Sequence, residues 1–263
     1  MPTALVTGAS SGIGLELARA FARRDHDLVL TARSRDALHA LADELHAAHG
    51  VAVEVVPEDL ARPGGPAALV DALTAGGHRI DVLVNNAGFA THGRFDDIAL
   101  ETGIEEARLN MLAPTWLMKR LLPGMVRRGT GGVLNVASTA GFQPGPGMAV
   151  YYATKAYVLH LSEAVAEELA GSGVTITALC PGPTESGFQA RAGMEGSRLE
   201  RRRGLFQHPA DVAEAGVRAF ERGQRVYVPG TANRLAALAP RLLPRAWTTK
   251  LIGWLHERPG ETP

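Results

Sequence analysis

Two tyrosines and a lysine stand within one helical turn in the segment from Tyr151 to Lys155. A phenol next to an ammonium group can give a proton to an oxygen atom and take it back, which is general acid and base chemistry. Residues four positions apart share one face of a helix, so Tyr151 and Lys155 can act in one site. Tyr152 is three positions from Lys155 and meets the same condition, so spacing leaves both tyrosines as candidates. We expect this segment to open a helix that runs to about Ala170.

An oxygen atom that takes up negative charge in a reaction needs a proton donor beside it. Free tyrosine has a pKa of about 10, far from neutral pH. A neighbouring ammonium group stabilises the phenolate. We therefore expect Lys155 to lower the pKa of the catalytic tyrosine.

A glycine-rich loop follows the first apolar run, Thr3–Thr7. Its glycines have the spacing G-x-x-x-G-x-G. Gly8 permits a tight turn, Gly12 lets the backbone approach a diphosphate, and Gly14 lets the next helix pack closely. The N-terminus of that helix offers free N–H groups to an anion. The loop predicts a dinucleotide site with contacts from Gly8, Ser10, Ser11, Gly12, Ile13 and Gly14.

Arg33 occupies the position at which a dinucleotide site contacts the 2′ position of the ribose. An NAD site usually has an acidic residue about 20 positions after the loop. Here Arg33 takes that place, and no acidic residue lies between Leu28 and Arg35. A guanidinium suits a 2′-phosphate. We expect a preference for NADP(H), with NAD(H) as a weaker alternative, unless Arg33 is only a solvated surface residue.

Alternating strands and helices must position these groups. Short apolar runs predict strands, and Ser34 is the expected N-cap of a helix that reaches His49. Helices between strands imply an α/β fold, a Rossmann-like doubly wound parallel sheet of about seven strands with helices on both faces, in three layers. We expect residues 1–230 to form the dinucleotide-binding and catalytic domain and 231–263 a helical extension. The predicted strands are Thr3–Thr7, Asp27–Thr31, Val51–Val56, Ile80–Val84, Val133–Ala137, Val174–Leu179 and Val226–Val228.

Composition excludes several classes of protein. The 263 residues carry 27 basic and 27 acidic side chains, so a nucleic-acid partner is disfavoured. The single cysteine, Cys180, allows no intrachain disulfide and no cysteine-rich metal site, and we expect no metal. No apolar run is long enough for a spanning helix, and no signal peptide precedes the first strand. We expect a cytoplasmic protein without stable membrane insertion.

Several motifs together resemble the short-chain dehydrogenase/reductase family over about residues 3–230. The glycine loop and the tyrosine–lysine pair are two of them. The others stand at or near predicted strand ends. The full set is Thr7-Gly8-x-x-x-Gly12-x-Gly14, Asp59-Leu60, Asn85-Asn86-Ala87-Gly88, Asn110, Ser138, Tyr151-x-x-x-Lys155 and Pro181-Gly182 followed by Thr184.

The resemblance implies an enzyme that moves hydride between a nicotinamide and a carbonyl or alcohol. It implies that Tyr151, rather than Tyr152, is the general acid and base. It implies that Lys155 binds the nicotinamide ribose and lowers the pKa of Tyr151, and that Ser138 hydrogen-bonds the substrate carbonyl. Homodimers or homotetramers are common in this family. Further cofactor contacts are implied for Asp59, Leu60, Asn86, Ala87, Gly88, Pro181, Gly182 and Thr184.

Asn110 also belongs to the implied catalytic set, because its backbone carbonyl holds a water linked to the lysine in this family. Pro114 follows four residues later and has no N–H to pair with that carbonyl. We expect Pro114 either to free the carbonyl of Asn110 for a relay water or to produce only a kink.

The substrate is indicated only coarsely. Reduction of a moderately apolar or acyl-type ketone is the leading expectation. Oxidation of a secondary alcohol, sugar or steroid is an alternative, and a non-catalytic NADP(H)-binding regulator is a third. The basic segment 183–207 is either a substrate loop or a contact for carrier phosphates. The expected pocket residues are Gly141, Phe142, Gln143, Phe188 and Met194.

The C-terminal segment 231–257 carries an apolar helical stripe at Trp247, Leu251, Trp254 and Leu255. Pro240 and Pro244 are expected to split it. Packing on the same domain or a partner subunit, covering the substrate pocket, and lying on a membrane surface are the three alternatives.

Overall fold

The computed structural model describes residues 1–258, and residues 259–263 of the predicted extension lie outside that range. Seven parallel strands form one sheet in the order β3-β2-β1-β4-β5-β6-β7. The predicted doubly wound α/β fold is confirmed. The strands are β1 (Thr3–Thr7), β2 (Asp27–Thr31), β3 (Val53–Val55), β4 (Val82–Asn85), β5 (Gly131–Val136), β6 (Val174–Leu179) and β7 (Val226–Tyr227).

Ten α-helices are assigned within the described range, and a π turn joins two of them at Arg108–Leu112. A short 3₁₀ turn at Thr139–Phe142 follows β5. The helices are α1 (Gly12–Ala22), α2 (Arg35–His49), α3 (Gly65–Ala75), α4 (Leu100–Ala107), α5 (Ala113–Arg128), α6 (Ala149–Glu168), α7 (Phe188–Arg191), α8 (Pro209–Glu221), α9 (Thr231–Leu242) and α10 (Arg245–His256).

Helices cover both faces of the sheet because alternate strand residues are apolar on both sides. Ala4 and Val6 of β1 pack with α1, α2 and α8 on one face. Leu5, between them, packs with α3 and α5 on the other face, where the partly buried residues of α6 also lie. The strands are therefore buried on both faces, and the three predicted layers are present.

The strand order reverses between β1 and β4, so the loops after these two strands diverge there. Open parallel sheets bind ligands at such a point. The glycine loop follows β1, and Asn86 follows β4. The fold thus brings the predicted dinucleotide loop and the Asn86–Gly88 segment to one edge.

Some predicted boundaries were wrong. The third strand is shorter, β4 begins two residues later, and β5 begins at Gly131 and ends before Ala137. The last strand ends at Tyr227 rather than Val228. Ser34 occupies the N-cap position of α2, but its side chain makes no capping hydrogen bond.

The C-terminal extension is a pair of helices, α9 and α10. Pro240 lies inside α9, so this proline does not split the segment, whereas Pro244 directly precedes α10. A proline near the end of a helix removes one bond without unwinding the turns before it. No helix within residues 1–258 has the length and hydropathy needed to cross a bilayer.

Candidate functional site

Tyr151, Lys155 and Ser138 meet at the carboxyl end of β5. Tyr151 and Lys155 stand on one face of α6, and the Lys155 Nζ lies 5.7 Å from the centre of the Tyr151 ring. Ser138 directly precedes the 3₁₀ turn, and its hydroxyl lies close enough to the phenol of Tyr151 to lower the pKa of that phenol. The ammonium group of Lys155 donates to the carbonyl of Val136 at 2.8 Å, which fixes it beneath the strand end. The three predicted residues therefore form one cluster.

The protein environment changes the acidity of both titratable groups. Desolvation by the surrounding protein raises the pKa of Tyr151 to about 12, although the hydrogen bond with Ser138 lowers it. Burial is thus the largest effect on the pKa of Tyr151, and the expected lowering of that pKa by Lys155 stays a prediction. Burial likewise lowers the pKa of Lys155 to about 8. Lys155 is still mainly protonated at pH 7, but it gives up its proton more readily than an exposed lysine.

Tyr152 does not reach this cluster. Its hydroxyl lies 3.1 Å from Nε2 of His256, and its side chain is buried. The ring of Tyr152 contacts the ring of Tyr151 edge-on, with centres 6.1 Å apart. Spacing left both tyrosines open, and the structure places only Tyr151 beside Ser138 and Lys155.

The glycine loop is built for a close backbone approach. Gly8 has φ +66°, and a Cβ there would lie 2.9 Å from the Cα of Ala87. A Cβ at Gly14 would lie 2.3 Å from the carbonyl oxygen of Gly8. Ser11 is the N-cap of α1 but makes no side-chain capping bond, which leaves the first N–H groups of the helix available to an anion. These residues fit a dinucleotide diphosphate, with Ser10 in the same loop and Ile13 packed against the core.

Thr7 and Asn86 hold the loop in place. The hydroxyl of Thr7 accepts from the N–H groups of Asn86 and Ala87 at 2.9 and 3.0 Å. The amide of Asn86 donates to the carbonyls of Thr7 and Gly8 at 2.9 and 3.2 Å. The sequence indicated Thr7 only as part of a motif. It did not indicate this role, because the hydrogen-bond partners of Thr7 are about 80 positions away.

Arg33 is exposed just beyond β2, and within residues 1–258 it makes no ion pair. Its guanidinium is therefore available to a ligand. Asp59 is half-buried, and its carboxylate accepts from the N–H of Ala61 at 2.9 Å. Leu60 is 5% exposed and packs into the core, so the predicted contact at the adenine end is limited to its backbone.

Asn110 joins the segment after β4 to α6. Its side-chain amide donates to the carbonyl of Phe89 at 2.8 Å and to the hydroxyl of Thr154 at 3.1 Å. A Cβ at Gly88 would lie 3.0 Å from Oδ1 of Asn110 and 3.7 Å from Nζ of Lys155. Asn110 and Gly88 thus lie close to Lys155.

The chain is distorted between Asn110 and Pro114. The N–H of Ala113 bonds the carbonyl of Arg108, which forms the π turn, and Pro114 has no N–H. A cavity of about 10 Å³ next to this turn is lined by Asn110, Pro114 and Lys155 among others. Such a volume corresponds to about one water molecule.

The loop after β6 packs against Ser138. The N–H of Thr139 donates to the carbonyl of Pro181 at 2.8 Å, and Ser138 Oγ is 3.4 Å from the same oxygen. A Cβ at Gly182 would lie 2.3 Å from Oδ1 of Asn233, so a larger residue there would displace that side chain. Thr184 is buried and donates to the carbonyl of Gly182 at 3.0 Å.

The five predicted pocket residues divide into two groups. Phe188 lies against Tyr151, with ring centres 5.3 Å apart, and Met194 is buried in the same apolar cluster. Gly141, Phe142 and Gln143 instead line a separate groove of about 540 Å³ with Tyr152 and other residues. Ala140 of the same segment packs in the apolar cluster around Tyr151, and the assignment of all five residues to one substrate pocket stays a prediction.

Two polar side chains near the site were not predicted. Glu106 is 1% exposed, one helical turn before Asn110, and burial raises its pKa to about 7. Asn135 of β5 accepts from Asn85 and donates to Ser162, both at 2.8 Å, which ties β4, β5 and α6 together. Asn135 could have been identified from the sequence, because it is a polar residue inside an apolar strand. No pattern in the sequence indicated Glu106.

The family model described as short chain dehydrogenase matches residues 2–195. The chain belongs to this family. It is therefore an oxidoreductase that acts on alcohol or carbonyl groups, and its cofactor is a nicotinamide dinucleotide. The resemblance inferred from the motifs is confirmed, and the tyrosine, lysine and serine cluster described above lies within the matched residues.

Similar proteins include reductases of several kinds. Ketoacyl reductase HetN of Nostoc sp. is 34% identical over 220 residues, which cover 83% of this chain and 75% of HetN. A short-chain dehydrogenase from Sphingobium yanoikuyae, solved with NADPH, is 39% identical with a TM-score of 0.82, over 92% of this chain and 93% of that one. The bulky-bulky ketone specific alcohol dehydrogenase from Comamonas testosteroni is 29% identical with a TM-score of 0.78, over 100% and 97% of the two chains.

Proposed function

We propose that this enzyme reduces ketones with NADPH and that Tyr151 is the proton donor. The observation that carries the proposal is the cluster of Tyr151, Ser138 and Lys155 at the strand ends next to the glycine loop. A phenol that remains protonated is suited to donate, and the raised pKa of Tyr151 keeps it protonated at neutral pH.

The side chains have distinct roles in this proposal. When bound, the dinucleotide would supply the hydride that the carbonyl carbon accepts. The hydroxyl of Ser138 donates a hydrogen bond to the carbonyl oxygen and stabilises the charge that develops there. The phenol of Tyr151 gives its proton to the same oxygen, which leaves a phenolate. Lys155, protonated at neutral pH, stabilises that phenolate and binds the nicotinamide ribose.

A proton must then return to Tyr151. Lys155 has a pKa of about 8, so it can pass on a proton at little cost. The cavity lined by Asn110, Pro114 and Lys155 has room for one water molecule. We assign to the carbonyl of Asn110 the role of holding this water, because Pro114 cannot donate to that carbonyl.

The cofactor preference for NADP(H) rests on Arg33. Its exposed guanidinium has no carboxylate partner within residues 1–258 and stands just after β2. A 2′-phosphate offers a strong partner to such a group. The remaining proposed cofactor contacts come from the glycine loop, Asp59, Asn86–Gly88, and Pro181, Gly182 and Thr184.

The substrate is proposed to be a moderately apolar or acyl-type ketone. Phe188, Met194 and other apolar residues pack around Tyr151. An apolar wall favours a substrate with a hydrocarbon portion over a sugar. Ketoacyl reductases from Nostoc and Streptomyces are among the similar proteins, which supports the same class.

The test compares Tyr151→Phe with Tyr152→Phe in an assay of NADPH absorbance over a panel of ketones. Loss of a general acid lowers kcat/KM by about a hundredfold or more. We expect that loss in Tyr151→Phe, with NADPH binding retained, and a near wild-type kcat in Tyr152→Phe. Full activity of Tyr151→Phe would exclude the proposed donor. Tight NADPH binding without turnover of any ketone by the wild type would favour a regulatory protein.

A further inference from the structure

Large apolar side chains face solvent along both C-terminal helices. On α9 they recur with helical spacing at Leu235, Leu238 and Leu242, and Leu242 is 84% exposed. On α10 the same pattern is formed by Trp247, which is 68% exposed, with Leu251 and Trp254. Exposed apolar side chains clustered in this way mark an interaction surface rather than an ordinary solvated face. These six residues are called the C-terminal apolar stripe below.

Other faces of the same helices already pack against the protein. Ala237 of α9 and Thr248 and His256 of α10 are buried. Ile252 packs against the apolar cluster that contains Met194. The helices are thus held by their inner faces. The guanidinium groups of Arg198 and Arg202 lie over the ring of Trp254 at 4.9 and 5.4 Å, and the other five residues of the C-terminal apolar stripe remain available to a partner.

The charged side chains carried by the two helices have one sign. Residues 231–256 include Arg234, Arg241, Arg245 and Lys250 but no aspartate or glutamate. All four cations are exposed, and none pairs with a carboxylate in the part of the chain that the structure describes. The whole chain has a net charge of zero, so this excess of positive charge is local.

We propose that α9 and α10 bind the surface of an anionic phospholipid bilayer. Apolar side chains with tryptophan on one face and arginine or lysine beside them are the features of interfacial amphipathic helices. Each helix has 12 residues and is about 18 Å long, so it lies in the interface rather than across the bilayer. Two copies of this surface facing each other would bring like charges together, which disfavours self-association through the stripe.

Docking in this manner would also orient the substrate loop. The N–H of Leu199 donates to the carbonyl of Leu255 at 2.9 Å, and Arg198 pairs with Glu257 at 2.6 Å. The 193–202 segment, which follows Phe188, is therefore fastened to the end of α10. Docking would then let an apolar ketone reach the site from the bilayer side. This consequence rests on the proposed function, whereas the docking itself does not.

The test is flotation of the full-length protein with vesicles of phosphatidylcholine alone or mixed with phosphatidylglycerol. Each lysine or arginine near an anionic surface adds about 1 kcal/mol of binding, so four cations predict binding stronger by at least about a hundredfold on the mixed vesicles. High salt should reduce this difference, because it screens the charges. A shift of tryptophan emission to shorter wavelength should accompany binding.

Two double variants separate the apolar and electrostatic contributions. Leu242→Ser with Trp247→Ser should abolish flotation, and Arg241→Glu with Lys250→Glu should weaken it by about a hundredfold on mixed vesicles only. Leu100→Ser is the matched control, because Leu100 on α4 is 73% exposed and lies outside the stripe. All variants should keep wild-type turnover of a water-soluble ketone, or wild-type NADPH binding where no ketone is turned over, which shows that they are folded.

Three results would overturn the proposal. The first is absence of flotation with the mixed vesicles. The second is flotation that is unchanged in both double variants. The third is conversion of an oligomer to a monomer by Leu242→Ser with Trp247→Ser, measured by sedimentation, in a protein that does not bind vesicles. That last outcome would assign the stripe to a second copy of this chain.

Discussion

The hydroxyl of Tyr152 lies 3.1 Å from Nε2 of His256, the last residue of α10. The other ring nitrogen, Nδ1, is 2.8 Å from the carbonyl oxygen of Pro146 and must donate to it. Nε2 therefore accepts from Tyr152, which requires a neutral imidazole, and burial lowers the pKa of His256. His92 Nε2 lies 3.0 Å from the carbonyl of His256. The side chain of His256 thus links α10 to Tyr152, the residue next to Tyr151.

Replacing this histidine should disturb substrate binding more than chemistry. In His256→Ala the hydroxyl of Tyr152 and the carbonyl of Pro146 lose their partner, which costs about 1–3 kcal/mol of folding stability. Because α10 also holds the 193–202 segment, we expect KM for the ketone to rise several-fold while kcat changes little. Steady-state kinetics and thermal unfolding measure the two effects.

His256→Gln is the matched variant, since its amide can donate to Pro146 and accept from Tyr152. It should recover much of the lost stability and affinity. A fall in kcat at unchanged KM, or a glutamine variant no better than alanine, would contradict this role.

Arg33→Ala should reduce the preference for NADP(H). A hydrogen bond between two charged groups contributes about 1.5–3 kcal/mol, so the ratio of the NADPH and NADH dissociation constants should change by about tenfold or more. Affinity for NADH should stay nearly constant. Arg35→Ala, a neighbouring exposed arginine, is the control, and fluorescence titration measures both constants. An unchanged ratio in Arg33→Ala would mean that the 2′-phosphate is held elsewhere.

Local patterns were sufficient to predict the sheet and the catalytic face. β1, β2 and β6 have the predicted bounds because each is a short apolar run. The four-residue spacing of Tyr151 and Lys155 placed them on one face of α6, as predicted. In both cases the determining interactions lie within a few residues, so a pattern in the sequence can represent them.

Contacts between distant residues could not be predicted in this way. His256 meets Tyr152 across 104 positions and Pro146 across 110. The groove that Gly141, Phe142 and Gln143 line has the same cause, because tertiary packing sets which part of α6 the 139–149 segment covers. Burial of Glu106 likewise depends on how α4 packs against α6. Two adjacent acidic residues, Glu105 and Glu106, suggest an exposed position, so the sequence does not indicate this packing.

Pro114→Ala should slow proton return to Tyr151. An alanine N–H can bond the carbonyl of Asn110, which the proline leaves without its helical donor. We expect a lower kcat, by a few-fold, with a larger solvent deuterium isotope effect and unchanged NADPH affinity. Pro123→Ala is a control in the same helix, where a proline also lies inside α5. Wild-type kcat in a folded Pro114→Ala protein would leave the proline with a structural role only.

Glu106→Gln should shift the pH dependence of reduction. The Glu106 carboxylate raises the pKa of Tyr151 and that of Lys155 through its negative charge. Glutamine removes this charge, so both pKa values should fall. Reduction needs a protonated phenol, and the alkaline limb of the kcat/KM profile should therefore move to lower pH. Glu105→Gln, which alters an exposed neighbour, should leave the profile in place.

The same substitution has a second readout in stability. Burial raises the pKa of Glu106 from its usual 4.5 to about 7, so the folded protein binds its proton more tightly than the unfolded chain. The stabilisation is complete below pH 4.5 and is lost as pH rises through 7. Glu106→Gln, which has no charge to bury, should thus unfold at a higher temperature than wild type at pH 8, and the advantage should shrink at pH 5. A pH-independent difference between the two proteins would show that the pKa of Glu106 is not raised on folding.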